Sequence, residues 1–219
     1  MLQLQNLLEN IVEAIKGKER IVVGIVGIPG AGKSTLSMQV CHKLVETGIK
    51  TVVVPMDGFH YSRLELQKLF PKDNGEEAMR RRGAPFTFNA MEFVRKIKEL
   101  KKAINKEIAL PSFDHSVGDP IDNSILVTRD TKVVIVEGLY LALDYEPWSQ
   151  ILSEKLVDEM WWLDLDQKTA EDRLAKRHVE AGICKTVSEA AERIVQNDRE
   201  NAKHIQDHSQ FSHPLLKKQ

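Results

Sequence analysis

Apolar side chains recur at helical spacing near the start of the chain, where Leu4, Leu7, Leu8, Ile11, Val12 and Ile15 stand three or four residues apart. That period draws one stripe along a helix, and it predicts an amphipathic helix over 1–18 lying on the domain. Display of the stripe to a partner is the less frequent use of such a face. At residue 21 the pattern changes to Ile-Val-Val-Gly-Ile-Val, a continuous apolar run expected of a strand buried on both faces of a parallel sheet. A glycine-rich turn, a helix over 33–46 closed by Gly48, and a second strand over 51–56 complete a βαβ unit.

Residues 58–85 read as polar and loop-like, with Pro71, Gly75, Gly83 and the basic run Arg80-Arg81-Arg82. A helix over 89–104 follows. Strands are expected over 108–113 despite Pro111, over the β-branched 132–136, and over 158–165, where Trp161 and Trp162 are read as core and interface residues. Two charged helices, 169–181 and 188–205, follow with little loop between them. There is no internal repeat. The alternation predicts an α/β fold, a three-layer sandwich around a mostly parallel sheet with right-handed connections and a helical lid over about 173–186. Ligands then gather at the carboxyl ends of the strands.

A chain of 219 residues suits one domain over 1–219. Its 42% hydrophobic and 29% charged residues lie near globular averages. The formal net charge of −1 provides no broad positive field, so no nucleic-acid partner is expected. Cys41 and Cys184 stand far apart without metal-ligand spacing, which points to a reducing compartment. No basic leader precedes Glu9 and Glu13, and no run approaches the ~18 apolar residues of a membrane span. The expectation is a cytoplasmic protein without a membrane partner; homodimerisation is left open.

The chemistry concentrates after the first strand. Gly27, Ile28, Pro29, Gly30, Ala31, Gly32, Lys33, Ser34 and Thr35 satisfy G-x-x-x-x-G-K-[ST] in full, between a buried strand and a helix start. There the backbone N–H groups and the helix dipole converge on one point and attract phosphate oxygens. Lys33 would reach the β- and γ-phosphates, and the Ser34 hydroxyl would complete a Mg²⁺ shell otherwise made of phosphate oxygens and water. A tight turn that merely needs glycine explains neither residue. ATP and Mg²⁺ are the expected cofactors.

Other features discriminate among nucleotide-binding proteins. The guanine-reading N-K-x-D is absent, since Asn105-Lys106-Glu107-Ile108 lacks the aspartate. The strand over 132–136 ends in Glu137-Gly138, a single carboxylate where ATPase motors carry two. Glu137 therefore suits metal or substrate positioning better than water activation, with a plain strand-end carboxylate as the alternative. Asp57 at the end of the second strand is placed to take a proton from an acceptor hydroxyl and hold that oxygen in line with the γ-phosphorus. A turn-starting role before Gly58 is its alternative.

Together with the phosphate loop, five stretches carry a resemblance: Met56-Asp57-Gly58-Phe59-His60, Arg82-Gly83-Ala84-Pro85-x-Thr87-Phe88, Phe113-Asp114-His115, Val136-Glu137-Gly138 and Asp172-Arg173-Leu174-x-x-Arg177. Over 20–205 the sequence resembles the phosphoribulokinase, uridine kinase and bacterial pantothenate kinase group, most closely its nucleoside- or sugar-kinase-like branch. The resemblance implies that Asp57 is the catalytic base, Glu137 a Mg²⁺ or acceptor-site carboxylate, and Arg173, Lys176 and Arg177 the phosphate-binding cations of a lid. The sequence departs from the group at Asn89, where relatives commonly carry aspartate.

Arg173, Lys176 and Arg177 recur at i, i+3 and i+4, one helical face suited to a closing lid that excludes water. A solvated charged face with Glu171 and Asp172 is the plainer role. His60, Tyr61, Phe88, Phe113, Asp114, His115 and Tyr140 are the candidate acceptor-site residues, although His60 and His115 could equally satisfy loop backbone. Arg80, Arg81 and Arg82 read as a solvated basic loop. The expected activity is transfer of the γ-phosphoryl group of ATP to a hydroxyl of a nucleoside, pantothenate-like or sugar-like small molecule. The alternatives are a nucleotide-triggered ATPase or GTPase regulator and a non-catalytic nucleotide-binding module.

Overall fold

The computed structural model describes residues 2–70, 73–114, 117–210 and 215–217. In chain order the elements are α1 (Leu2–Ala14), β1 (Ile21–Val26), α2 (Lys33–Glu46), β2 (Thr51–Pro55), α3 (Arg63–Leu69), α4 (Asp73–Arg80), α5 (Ala90–Lys102), β3 (Ile108–Asp114) and β4 (Asp119–Val127). They continue with β5 (Val133–Gly138), α6 (Gln150–Ser153), β6 (Glu159–Asp164), α7 (Gln167–Glu180), α8 (Val187–Arg193), α9 (Arg199–His208) and β7 (Leu215–Lys217).

The apolar run of β1 is buried along its whole length. Successive side chains of a strand point to opposite faces, so Val22 and Val26 enter one core while Ile21, Val23 and Ile25 enter another. Phe93, Val94, Ile97 and Leu100 of α5 cover the first face. Leu7 and Ile11 of α1 cover the second, with Leu36, Val40 and Leu44 of α2. Helices on both faces make the three layers. The same alternation separates the tryptophans: Trp162 joins the first core and Trp161 the second, at 7% and 1% exposure.

The sheet runs β2-β5-β1-β6-β7 with every neighbouring pair parallel. β3 and β4 stand apart as an antiparallel hairpin, whose register slips between Leu110 and Ser112. Pro111 sits in that irregularity, the place in a ladder where a missing N–H is tolerated.

The stretch expected to be loop-like over 58–85 contains α3 and α4. A reciprocal cap starts α3: Glu65 N–H donates to Ser62 Oγ at 3.2 Å, and Ser62 N–H donates to Glu65 Oε2 at 2.7 Å. The S-x-x-E signal for it is visible in the sequence. Strand β4 was likewise not among the expected elements. The helix expected over 188–205 forms, but a π turn at Ile194–Asp198 separates α8 from α9.

Candidate active site

Sheet register assembles the site. Ile25 pairs with Glu137 and Val26 with Gly138, so β1 and β5 end together. Pro55 pairs with Glu137 on the other side, so β2 ends there too and its 3-10 turn Met56–Phe59 carries Asp57 to the same edge. The phosphate loop leaves β1 at this edge. Gly30 and Gly32 turn it with φ of 78° and 93°, values that disfavour any residue with a Cβ. A Cβ at Gly30 would also stand 2.4 Å from the Ala170 carbonyl oxygen of α7. The loop thus lies directly against α7.

Lys33 opens α2 and is 9% exposed; its Nζ donates to the Ile28 carbonyl of the loop at 3.1 Å. Burial lowers its pKa, Glu137 and Asp57 oppose the shift, and Arg177 adds to it. Ser34 Oγ donates to Glu137 Oε1 at 2.9 Å. Burial raises the Glu137 pKa and Asp57 adds to the rise, while Lys33, the Ser34 hydrogen bond and Arg177 work against it. The mutual influence of Lys33, Glu137, Asp57 and Arg177 marks one electrostatic cluster.

Asp166 caps α7 by accepting from Thr169 N–H at 2.9 Å. Ala170, Leu174 and His178 form its buried face. Arg173, Leu174 and Arg177 face Gly30, Gly32 and Thr35 across a cavity of about 270 Å³. Lys176 is exposed and does not line this cavity.

The expected acceptor-site residues divide. His60 stacks on Phe88 with centroids 3.9 Å apart and lies 5.0 Å from the Phe113 ring. Its Nδ1 is 2.9 Å from the Asp57 carbonyl, so His60 does satisfy loop backbone while facing the aromatics. Tyr61 lies beside His60 on a cavity of about 560 Å³, which Asn89 also borders. Asp114 Oδ1 accepts from Val117 N–H at 3.3 Å. Phe88 and Tyr140 are buried. The Tyr140 hydroxyl donates to the Gly83 carbonyl at 2.6 Å, and burial pushes its pKa well above the usual phenol value. His115 lies outside the described residues. A cavity of about 620 Å³, walled by Phe88, Trp148 and His204, shares no residue with the phosphate loop, so size alone does not locate the chemistry.

Two local expectations change. The basic run is not uniformly solvated, for the Arg82 side chain is 12% exposed and pairs with Asp119 at 2.7 Å. Arg82 also donates to the carbonyls of Tyr61 (2.9 Å) and Gly118, and lies 5.6 Å from the Phe113 ring centroid. Burial of a guanidinium demands such partners. Arg81 reaches the Gln196 carbonyl at 3.0 Å, and Arg80 alone of the three stays at the surface, paired with Glu77. Asn89, where the sequence departs from the resemblance, caps α5 by accepting from Glu92 N–H at 3.1 Å, a task that asparagine and aspartate both perform.

Sequence reasoning missed the polar residues that hold the 82–84 turn. Asn197 Nδ2 donates to the Arg82 carbonyl at 2.9 Å, and Gly83 N–H donates to Thr87 Oγ1 at 3.0 Å. Asn197 and Asn201 are 5% and 2% exposed. Their i, i+4 spacing beside the apolar Ile194 and Ile205 was the available signal.

Among the described residues no group of three or more His, Cys, Asp or Glu is arranged to hold a metal. The Ser34–Glu137 pair nevertheless fits Mg²⁺, a hard cation that takes one or two protein oxygens and completes its shell with phosphate and water. No described helix is long and apolar enough to cross a membrane.

Residues 22–199 match the sequence profile of the Phosphoribulokinase / Uridine kinase family. A Schizosaccharomyces pombe protein provisionally named uridine kinase C227.14 is 41% identical over 192 residues, spanning 87% of this chain and 80% of that one. The solved structure of a kinase provisionally assigned to a fructose transport system of Silicibacter sp. matches with a TM-score of 0.84 and 29% identity, over 97% of this chain and 98% of the other. YFH7 of Saccharomyces cerevisiae shares the fold, with a TM-score of 0.85 at 22% identity over 99% of both chains.

Proposed function

The chain belongs to the phosphoribulokinase/uridine kinase family and is a kinase of that family, and from that premise we propose that it moves the γ-phosphoryl group of ATP onto a hydroxyl of a nucleoside, pantothenate-like or sugar-like metabolite. One observation carries the reading. Lys33, the Ser34–Glu137 pair and Asp57 come together where β1, β5 and β2 end side by side, and Arg177 of α7 acts on the same cluster.

In this reading the loop N–H groups and Lys33 hold the phosphates, and Ser34 with Glu137 holds Mg²⁺, which when bound offsets charge on the phosphate oxygens. Asp57 accepts the proton of the acceptor hydroxyl and orients its oxygen toward the γ-phosphorus. Arg173 and Arg177 stabilise charge on the transferring group and shield it from water. Glu137 is taken up by Ser34, which leaves Asp57 as the carboxylate for the proton. His60, whose Nδ1 is 2.9 Å from the Asp57 carbonyl, borders the cavity of about 560 Å³ together with Tyr61 and offers a ring on which an acceptor can pack, with Phe88 and Phe113 set against it.

The test is ADP formation from Mg-ATP across a panel of nucleosides, sugars, polyols and pantothenate, with the phosphorylated product identified by mass. Acceptor-dependent ADP release with a matching phosphomonoester is expected. Hydrolysis at one rate with every acceptor and with none would overturn the reading.

A further inference from the structure

The cavity of about 560 Å³ lies between two walls that come from different parts of the fold. Gly58, His60 and Tyr61 supply one, and Pro111, Pro120 and Asp122 of the β3–β4 hairpin supply the other. Among the described residues the hairpin pairs with no strand of the five-stranded sheet, so contacts other than a ladder set its distance from the first wall. One end is pinned by backbone: a Cβ at Gly58 would stand 2.4 Å from the Pro111 carbonyl oxygen. The other end is pinned by Arg82, which does not itself line the cavity. Its Nη2 donates to the Tyr61 carbonyl of the first wall at 2.9 Å and to Asp119 Oδ1 of the hairpin at 2.7 Å, and its Nη1 donates to the Gly118 carbonyl. Asp119 Oδ1 also accepts from Arg63 N–H at 3.0 Å, so the same carboxylate holds the chain just past Tyr61.

The Arg82 guanidinium is delivered from a fixed base. Asn197 Nδ2 donates to the Arg82 carbonyl, the Tyr140 hydroxyl donates to the Gly83 carbonyl, and Gly83 N–H donates to Thr87 Oγ1. Stability alone does not favour a cation in this space, for Nε is closed off from solvent without a partner and a buried ion pair often adds little over an apolar replacement. What an apolar side chain lacks is the planar fork that reaches acceptors on both walls at once. We propose that Arg82 is a positioning residue, a staple that with Asp119 sets the width of the cavity beside His60 and thereby the acceptors that it admits. This rests on the kinase reading, with that cavity as the acceptor site, and deepens it by assigning acceptor selectivity to a side chain outside the cavity.

Arg82→Gln, Asp119→Ala and the double variant are compared with the wild type, first by amide hydrogen exchange without ligand. Exchange is expected to quicken over 58–63 and 117–123 and to stay unchanged over the phosphate loop at 27–35. ADP formation from Mg-ATP is then measured with uridine, ribose, glycerol and pantothenate as acceptors. For each acceptor that the wild type uses, KM should rise roughly tenfold in either single variant, the loss typical of a charged hydrogen bond, while kcat changes less and the KM of ATP stays the same. Discrimination among the four compounds should narrow, which a general loss of folded protein does not produce. The double variant should be no worse than the worse single one, because both substitutions open one staple. Unchanged exchange, an unchanged acceptor KM, or an equal rise in the KM of ATP would overturn the proposal. If Arg82→Gln does not fold, Arg82→Lys, which keeps the charge and loses the fork, carries the same expectations. Should the wild type phosphorylate none of the four, the acceptor reading falls and this inference with it. If the wild type phosphorylates one of them and Arg82→Gln matches it, only the staple falls.

Discussion

Ser34 and Glu137 are joined by a 2.9 Å hydrogen bond across 103 residues of sequence. The bond links the first turn of α2 to the end of β5, and Lys33, the preceding residue, lies within the field of the same carboxylate while its Nζ donates to the Ile28 carbonyl. Three groups that bear on phosphate and metal are thereby held at one point before any nucleotide arrives, the preorganisation on which phosphoryl transfer depends.

Lys33→Ala should lower turnover by about a hundredfold or more, the scale of losing one preorganised charge donor. The fold should survive. Burial already disfavours the Lys33 ammonium, so its removal takes away a desolvated cation rather than a packed core group. ADP formation and thermal unfolding in one preparation check this; normal turnover in a folded variant would defeat the assigned cradle.

Asp57→Asn keeps the shape of the turn and most of its hydrogen bonds. As proton acceptor, Asp57 should contribute roughly a hundredfold to ten-thousandfold to kcat, with ATP affinity nearly unchanged because the loop at 27–35 holds the nucleotide. A turn-only role predicts almost no kinetic change. Acceptor-dependent ADP formation measured beside ATP binding separates the two.

Arg173→Ala and Arg177→Ala should each reduce kcat more than they weaken ATP binding, since cations on α7 act chiefly in the closed, reacting state. Weak ATP binding with normal turnover at saturation would contradict the assignment of this face of α7.

His178 gives a pH signature of stability. Its folded pKa of about 4 lies below the ordinary 6.5, so between these values the unfolded chain binds more protons than the folded one. Stability from this site is full above pH 6.5 and is lost as pH falls toward 4. His178→Leu removes the titration, and the buried Nδ1 that lacks a partner. Melting temperatures measured from pH 8 to 4 should fall less for the variant than for the wild type; parallel curves would refute the depressed pKa.

Asn89→Ala should cost about 1 kcal/mol through loss of the α5 cap, a fall of roughly 2–4 °C in Tm for a chain of this size. Asn89→Asp should match or exceed the wild type, because a carboxylate caps equally well and favours the helix N-terminus. Thermal unfolding of both variants tests whether Asn89 acts as a cap.

Residues 27–35 could be read without a structure because the phosphate loop is contiguous, so its chemistry and its setting between strand and helix are both local. The continuous run of β1 and the helical period of α1, α2 and α5 were legible for the same reason, since burial on two faces or one stripe leaves a periodic mark. The capping box of Ser62 and Glu65 was legible too, although the polar composition around it suggested a loop. Partnership across the chain leaves no such mark. That Ile25 and Pro55 both pair with Glu137, bringing Ser34 and Asp57 to one edge, depends on a strand order that periodicity does not specify. Arg82 looked like part of a solvated run until the fold placed Asp119 and two carbonyls around it. Nothing in the charged stretch over 188–205 marks Asp198 apart, yet it ends the π turn with its Oδ2 3.9 Å from His178 of α7. The period of a sequence shows which face of an element is buried, but the cost of burying a charge is offset only by groups that tertiary packing brings near.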